Sequence, residues 1–185
     1  MFGDCSYGEA VWLQHQHKPQ NYSTALGTRL ARAVVNIAVP EVSGTRVIDP
    51  CCGIGTVLVE AMSMGIDIVG YDINPLAVRG ARVNLDHFGM PNVVQIADMR
   101  TLAPHAAAPK ISYDALILDM PYNLCSVLPE AEKLGMLQAA RRLARRAVIV
   151  TTEQIDALVR EAGFHIDARC SVNKGNFSRQ ILVCL

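Results

Sequence analysis

The stretch Asp49-Pro50-Cys51-Cys52-Gly53-Ile54-Gly55-Thr56 decides the fold of this 185-residue chain. It follows the apolar run Arg46-Val47-Ile48, which is typical of a buried strand, and it leads into a helical pattern that begins at Thr56. Two glycines in a turn between strand and helix let the backbone approach a ligand with no Cβ atom in the way. The stretch therefore predicts a strand, a turn and a helix of an α/β domain, with a ligand held at the turn.

The same strand-turn-helix unit recurs along the chain. Strands are predicted over 46–49, 67–71, 93–97, 113–118 and 147–151, and helices over 24–39, 56–64, 75–88, 129–145 and 153–162. Such alternation implies a parallel sheet with right-handed crossovers. Two further strands, 164–170 and 179–184, flank a hairpin-type turn at Lys174-Gly175-Asn176. The predicted fold is a doubly wound, Rossmann-like, seven-stranded sheet that is mostly parallel and ends in an antiparallel hairpin.

Composition favours one domain with a large core. Apolar residues make up 51% of the chain, as expected when strands are buried on both faces of a parallel sheet. Residues 1–22 lack periodicity and are predicted to be a linker or the remnant of a preceding domain, so the catalytic domain is predicted to span 23–185. No charge-free run approaches the ~18 residues of a membrane span. No signal-peptide pattern is present, and the expected location is the cytoplasm.

Cysteine and histidine spacing predicts no metal site. The six cysteines form no C-x-x-C pair and are expected to be reduced thiols: Cys5, Cys51, Cys52, Cys125, Cys170 and Cys184. His15 and His17 are close enough in sequence to share a metal, but a polar linker is the favoured interpretation.

Acidic residues stand at or just after the ends of four predicted strands: Asp49, Asp72, Asp98 and Asp119. In a doubly wound sheet, ligands bind beyond the carboxyl ends of the strands. A lone acid at such a position usually caps a turn. Four acids in equivalent positions, with a glycine turn after the first strand, indicate instead a shared ligand site.

S-adenosylmethionine fits this site better than a dinucleotide does. A G-x-G-x-x-G fingerprint would require glycine in place of Leu58, whereas the sulfonium and ammonium groups of S-adenosylmethionine favour a nearby acid such as Asp49. Asp72, 23 positions later, is predicted to accept both ribose hydroxyls. Ile73 is predicted to pack on adenine. Asp98 is predicted to accept from the adenine amino group, with a turn cap as its alternative role.

The segment Asp119-Met120-Pro121-Tyr122 predicts the chemistry. An aromatic amine is a poor nucleophile. A catalyst must therefore orient it and accept hydrogen bonds from its N–H groups as positive charge builds on the nitrogen. Asp119 supplies one acceptor, and the Met120 carbonyl, turned outward by Pro121, supplies a second. Tyr122 offers a stacking face for a flipped-out base. A covalent mechanism through Cys125 is the disfavoured alternative.

These motifs resemble the catalytic domain of tRNA guanine-N2 methyltransferases of the THUMP-domain type. The likeness covers roughly residues 18–185 and rests on the segments 18–36, 49–56, 70–75 and 119–122. It implies S-adenosylmethionine-dependent methylation of an exocyclic amino group of a base in RNA, with guanine N2 in tRNA as target and tRNA processing as the context. The predicted cofactor-binding residues are Tyr22, Ser23, Thr24, Asp49, Cys51, Gly53, Gly55, Thr56, Asp72, Ile73, Asp98, Met99 and Asp119.

Two departures from the family accompany this resemblance. Met120 stands where the D-P-P-Y motif has proline, which is expected to cost backbone rigidity. Residues 1–22 do not supply the family's N-terminal RNA-binding domain, so recognition is expected from such a domain or from a partner subunit. The net charge of zero agrees with a catalytic module that lacks its own basic footprint.

Basic residues cluster locally at two places. Arg141, Arg142, Arg145 and Arg146 are predicted to share the last turns of one helix, as a solvated face or as phosphate contacts. Lys174 and Arg179 flank the C-terminal hairpin and leave the same two interpretations open. Other functions also remain open at this point: adenine N6 methylation of RNA or DNA, methylation of a small-molecule amine, or a non-catalytic cofactor-binding subunit.

Overall fold

The computed structural model describes residues 11–22, 25–102, 113–121, 128–174 and 177–185. The strands are β1 Arg46–Asp49, β2 Asp67–Asp72, β3 Val94–Ile96, β4 Tyr113–Asp119, β5 Ala144–Thr151, β6 Ile166–Lys174 and β7 Phe177–Cys184. The α-helices are α1 Thr28–Ala38, α2 Thr56–Ser63, α3 Pro75–His87, α4 Glu130–Leu143 and α5 Asp156–Glu161. Two 3₁₀ helices span Val11–His17 and Met99–Thr101.

The strands form one seven-stranded sheet in the order β3-β2-β1-β4-β5-β7-β6. β1 to β5 are parallel, while β7 runs antiparallel between β5 and β6. This confirms the predicted fold. The strand order reverses between β1 and β4, so the carboxyl ends of these two strands flank the crevice where ligands bind in open α/β sheets.

Helices cover both faces of the sheet. α1, α2 and α3 pack on one face, and α4 and α5 pack on the other. Along β4, Ala115 and Ile117 enter the first core while Leu116 and Leu118 enter the second. This double burial explains the continuous apolar strands. Within the described ranges, no helix combines the length and apolar character that crossing a membrane requires.

Residues 11–22 pack against the domain, and we call them the N-terminal strap. Residues 11–17 of this segment, for which the sequence showed no periodicity, form a 3₁₀ helix. His15 Nδ1 lies 2.7 Å from Glu60 Oε1, and Arg32 Nη1 donates to Glu60 Oε2 at 3.0 Å. Glu60 is fully buried on α2, and a buried carboxylate requires such partners. His15 therefore anchors the strap.

The structure corrects the prediction that four arginines share one helix end. α4 ends at Leu143 and β5 begins at Ala144, whose backbone is already extended, so Arg145 and Arg146 lie on the strand. Three of the guanidinium groups donate to backbone carbonyls within the domain: Arg141 to Gly163, Arg142 to Arg100 and Arg146 to Ile37. These contacts give the three arginines structural roles.

Two helices, α1 and α5, begin several residues later than predicted. α1 begins at Thr28, after Gly27 in an extended conformation. α5 begins only at Asp156, because the chain first turns after β5, where Glu153 N donates to Thr151 Oγ1 at 3.1 Å. A side chain that bonds nearby backbone in this way competes with the helix for the same groups.

Candidate active site

A cavity of about 470 Å³ lies at the carboxyl ends of β1, β2 and β4. Its size is that of a small-molecule site. The structure places these sequence-predicted residues in its lining: Tyr22, Cys51, Gly53, Asp72, Ile73, Asp98, Met99, Asp119, Met120 and Pro121. The predicted cofactor residues and the predicted catalytic residues thus share one cavity.

Asp49 and Thr56 lie behind the glycine turn. They line a second cavity of about 50 Å³, which also has Asp119, Cys51 and Gly53 in its wall. Because the two cavities have lining residues in common, Asp49 is adjacent to the larger one. Its carboxylate accepts the Cys51 N–H at 3.2 Å.

Some predicted site residues lie outside the described part of the chain. These are Ser23, Thr24 and Tyr122, together with Cys125 of the disfavoured covalent alternative. Their roles stay predictions.

The two glycines of the turn have different tasks. Gly53 has a φ of +54°, lines the larger cavity, and has open space where a Cβ would stand. Gly55 lines neither cavity, and its φ of +78° places it at the start of α2. A Cβ on Gly55 would stand 3.2 Å from the Ala81 Cβ of α3. Gly53 therefore leaves room for a ligand, whereas Gly55 lets two helices approach each other.

We expect Gly53→Ala to weaken cofactor binding more than it weakens the fold. Its Cβ would project into ligand space, and its positive φ adds a backbone cost of about 1–2 kcal/mol. Gly44→Ala is the matched control, because Gly44 has a φ of +72°, open space around a Cβ, and no place in the cavity lining. Calorimetric titration with S-adenosylhomocysteine and thermal melting separate the two effects. Equal loss of affinity in both variants would contradict the assignment of Gly53.

Asp72 is held in place by two backbone groups. Gly53 N donates to its Oδ2 and Asn74 N donates to its Oδ1, both at 2.8 Å. A carboxylate offers about four acceptor sites, so each oxygen keeps one for a further donor. The carboxylate is thus held in one orientation with an acceptor site free on each oxygen, and its contact with the ribose hydroxyls stays a prediction.

Asp98 is already engaged by Arg100. It caps the 3₁₀ helix Met99–Thr101 by accepting Arg100 N, and its two oxygens also accept from the Arg100 guanidinium. That side-chain hydrogen bonding lowers the pKa of Asp98. The turn-cap role is confirmed, and the contact with adenine stays a prediction.

Asp119 is the last residue of β4 and carries the least satisfied carboxylate of the site. Its Oδ1 atom is buried and has no hydrogen-bond partner among the described residues. Burial raises the pKa of Asp119 to about 7, although the charge of Arg179 opposes that rise. Burial also raises the pKa of Asp49, and the nearby charges of Asp119 and Asp72 add to it. Such a group of acids favours a ligand that brings positive charge.

Met120 makes a contact that proline could not make. Its N–H donates to the Val150 carbonyl at 2.9 Å, which extends the pairing of β4 with β5 by one bond. Its side chain is buried in the core beneath the site. This hydrogen bond offsets the loss of backbone rigidity that was expected from the absence of proline at this position.

Asn84 supports the site from behind its wall, and the sequence did not predict this role. This buried side chain of α3 accepts from Gln20 N at 2.8 Å and donates to the Gln20 carbonyl at 3.0 Å and to the Ile54 carbonyl at 2.9 Å. It therefore fastens the strap to the glycine turn, two residues before Tyr22 enters the cavity wall. The available signal was a polar residue among the apolar positions of α3, between Ala81 and Leu85.

Comparison with known proteins identifies related domains. The family model for RMKL-like proteins, methyltransferase domain, matches residues 15–173. A tRNA (guanine(10)-N2)-dimethyltransferase of Pyrococcus abyssi is 33% identical over 147 residues, which is 76% of this chain and 43% of that protein. The mouse U6 snRNA (guanine-N(2))-methyltransferase THUMPD2 is 28% identical over 62% of this chain and 24% of that protein. The chain spans less than half the length of these relatives.

A solved structure shares the fold. TrmN from Thermus thermophilus superposes with a TM-score of 0.68 at 22% identity, over 86% of this chain and 48% of that one. This likeness concerns the fold.

Proposed function

Because this chain belongs to the family of RMKL-like methyltransferase domains, we propose that it methylates the exocyclic amino group of a base in RNA, with S-adenosylmethionine as donor and guanine N2 in tRNA as target. The observation that carries this proposal is the Asp119 carboxylate, whose buried Oδ1 lacks a hydrogen-bond partner among the described residues. Asp119 lines the cavity that Asp72 and Ile73 also line. An amino group that binds there would supply the missing donor.

The donor fits the residues of the cavity. Asp72 is oriented for two hydroxyl groups, and the raised pKa values of Asp49 and Asp119 indicate a site that gains from a positive ligand. Ile73 is exposed at the cavity wall and offers an apolar face to adenine. When bound, S-adenosylmethionine supplies an electrophilic methyl group.

The chain's own residues orient the amine and stabilise its charge. Asp119 accepts a hydrogen bond from one N–H of the amine, and this orients the nitrogen lone pair towards the methyl group. As the nitrogen becomes positive, the attraction of the carboxylate for it increases, and this stabilises the transition state more than the ground state. A carboxylate with a pKa of about 7 also suits transient acceptance of the proton that the nitrogen releases.

Support for guanine in RNA comes from the relatives. Their names describe guanine-N2 methylation of tRNA in one protein and of U6 snRNA in another. This chain matches only part of each, and its net charge is zero. We therefore propose that a preceding domain or a partner subunit adds RNA recognition to this catalytic module.

Methyl transfer to unmodified total tRNA tests the proposal. Labelled S-adenosylmethionine, nucleoside analysis and an Asp119→Asn control should give label in N2-methylguanosine that the variant does not produce. Label in N6-methyladenosine would replace guanine as the target. One outcome would contradict the proposal: cofactor binding without transfer to any RNA, even when the unmatched part of the Pyrococcus abyssi relative is fused to the chain.

A further inference from the structure

Arg179 is buried beside the site, although its sequence position at the hairpin left it as either a solvated residue or a phosphate contact. The side chain is 9% exposed. Burial of a guanidinium group is costly unless a partner of opposite charge or several acceptors compensate it. A buried arginine at the functional edge of a sheet therefore points to a specific task there.

The pairing register places Arg179 on the same face of the sheet as Asp119. Asp119 pairs with Val150 of β5, and Val150 pairs with Ile181 of β7. Residues paired in register direct their side chains to the same face, as do residues two apart on one strand. Arg179 precedes Ile181 by two residues, so it shares this face with Asp119.

Arg179 also stands at the right end of the sheet. β7 is antiparallel to β5, and Gln180 pairs with Thr151, the last residue of β5. Arg179 is therefore one position beyond the carboxyl end of β5. That edge is where the cavity opens and where Asp119 ends β4.

Among the described residues, Arg179 is the cation that acts on the Asp119 carboxylate. Asp49 faces it from β1, and the Cys51 thiol faces it from the glycine turn, and neither group brings positive charge. On α1, which packs against the same strands, Arg29 is exposed and Arg32 is bound to Glu60. Arg100 in the same cavity wall is paired with Asp98, and Lys133 beside Met120 is paired with Glu153. The positive charge that lowers the pKa of Asp119 is that of Arg179.

We propose that Arg179 is a positioning residue for methyl transfer, whose buried guanidinium favours the charged form of the Asp119 carboxylate and directs it at the incoming amine. The inference rests on the proposed function of Asp119. The guanidinium group is permanently charged, so its effect does not vary across the working pH range. The target amine therefore meets a carboxylate whose charged form is favoured by a fixed positive charge.

The test combines two readouts of the same group. Arg179→Met removes the charge and keeps the apolar stem at similar length. Arg179→Gln removes the charge and keeps polar atoms, and Arg179→Lys keeps the charge.

Titration of the Asp119 carboxyl by ¹³C NMR, assigned with Asp119→Asn, reports on the pairing of Arg179 with Asp119 and does not require activity. The pH profile of single-turnover methyl transfer to tRNA reports on its consequence.

In Arg179→Met and Arg179→Gln, we expect the Asp119 titration and the acid limb of the rate profile to move up together by about one pH unit. Near pH 6 the rate should then fall by about tenfold, since one pKa unit changes the charged fraction by that factor below both midpoints. At pH 9 the rate should return close to that of the unmodified protein. Arg179→Lys should stay close to the unmodified protein at every pH.

Other outcomes separate the two proposals. An unchanged Asp119 titration in both uncharged variants would overturn the role of Arg179, even if activity falls. A rate loss of equal size at all pH values would assign Arg179 to structure alone and overturn it as well. A shifted titration in a protein that methylates no RNA would support the pairing of Arg179 with Asp119 and contradict the proposed function.

Discussion

Asp119→Asn should lower the rate of methyl transfer by at least about 100-fold and leave the affinity for S-adenosylhomocysteine within a few-fold. The carboxylate acts on the target amine, and the substitution removes its negative charge while it keeps the shape of the side chain. Asp119→Ala should abolish transfer, because no acceptor remains. Single-turnover rates with tRNA and calorimetric titration with S-adenosylhomocysteine measure the two effects. S-adenosylhomocysteine is suitable because it lacks the sulfonium charge that Asp119 could attract.

The same residue sets an expected pH dependence. The charged form of Asp119 accepts the hydrogen bonds of the target amine. Burial raises the pKa of Asp119 to about 7. The transfer rate should therefore rise as the pH increases through about 7, and the residual activity of Asp119→Asn should lack this rise. A rate that is flat between pH 5.5 and 8.5 in the unmodified protein, or a loss of cofactor affinity that matches the loss of rate, would contradict the catalytic assignment.

Asp72→Ala should weaken binding of S-adenosylhomocysteine by roughly 1–3 kcal/mol, or about 5- to 150-fold. The substitution removes the charge-assisted bonds to the ribose. It also frees the backbone groups of Gly53 and Asn74, which Asp72 holds at 2.8 Å. Both consequences act on the cofactor side of the cavity. At saturating S-adenosylmethionine, the rate should therefore fall much less than the affinity.

Asp67→Ala is the matched control for this loss. Asp67 begins the strand that Asp72 ends, its side chain is 71% exposed, and it contacts only Arg46 at 3.8 Å among the ion pairs of the described residues. This variant should bind the cofactor like the unmodified protein. If Asp72→Ala bound S-adenosylhomocysteine normally, or if both acids proved equally sensitive, the ribose assignment would lose its basis.

The sequence predicted the features that depend on local pattern. Apolar runs followed by acids located β1, β2 and β4, and the reversal of strand order brought Asp72 and Asp119 to one cavity. Strand ends in a parallel sheet meet at one edge whatever the details of packing, so these assignments needed no knowledge of distant contacts.

Features that depend on distant partners were not predictable. His15 was assigned to a linker because its partner, Glu60, is 45 positions away and has no periodic signature. Arg179 was left between two surface roles for the same reason, since its burial depends on the register of β7. At Met120 the motif suggested lost rigidity, whereas the structure supplies a hydrogen bond to β5 that only tertiary pairing creates.

The hydrogen bonds of Asn84 also bear on when the cofactor site forms during folding. The segments they join are separated by 64 and 30 positions along the chain. Contacts between distant segments incur the entropy of loop closure and tend to form after local structure. The strap wall of the cavity should thus be completed late in folding and open early under mild denaturant. A protease cut within the strap would then open the cavity wall at Tyr22 while the sheet persists.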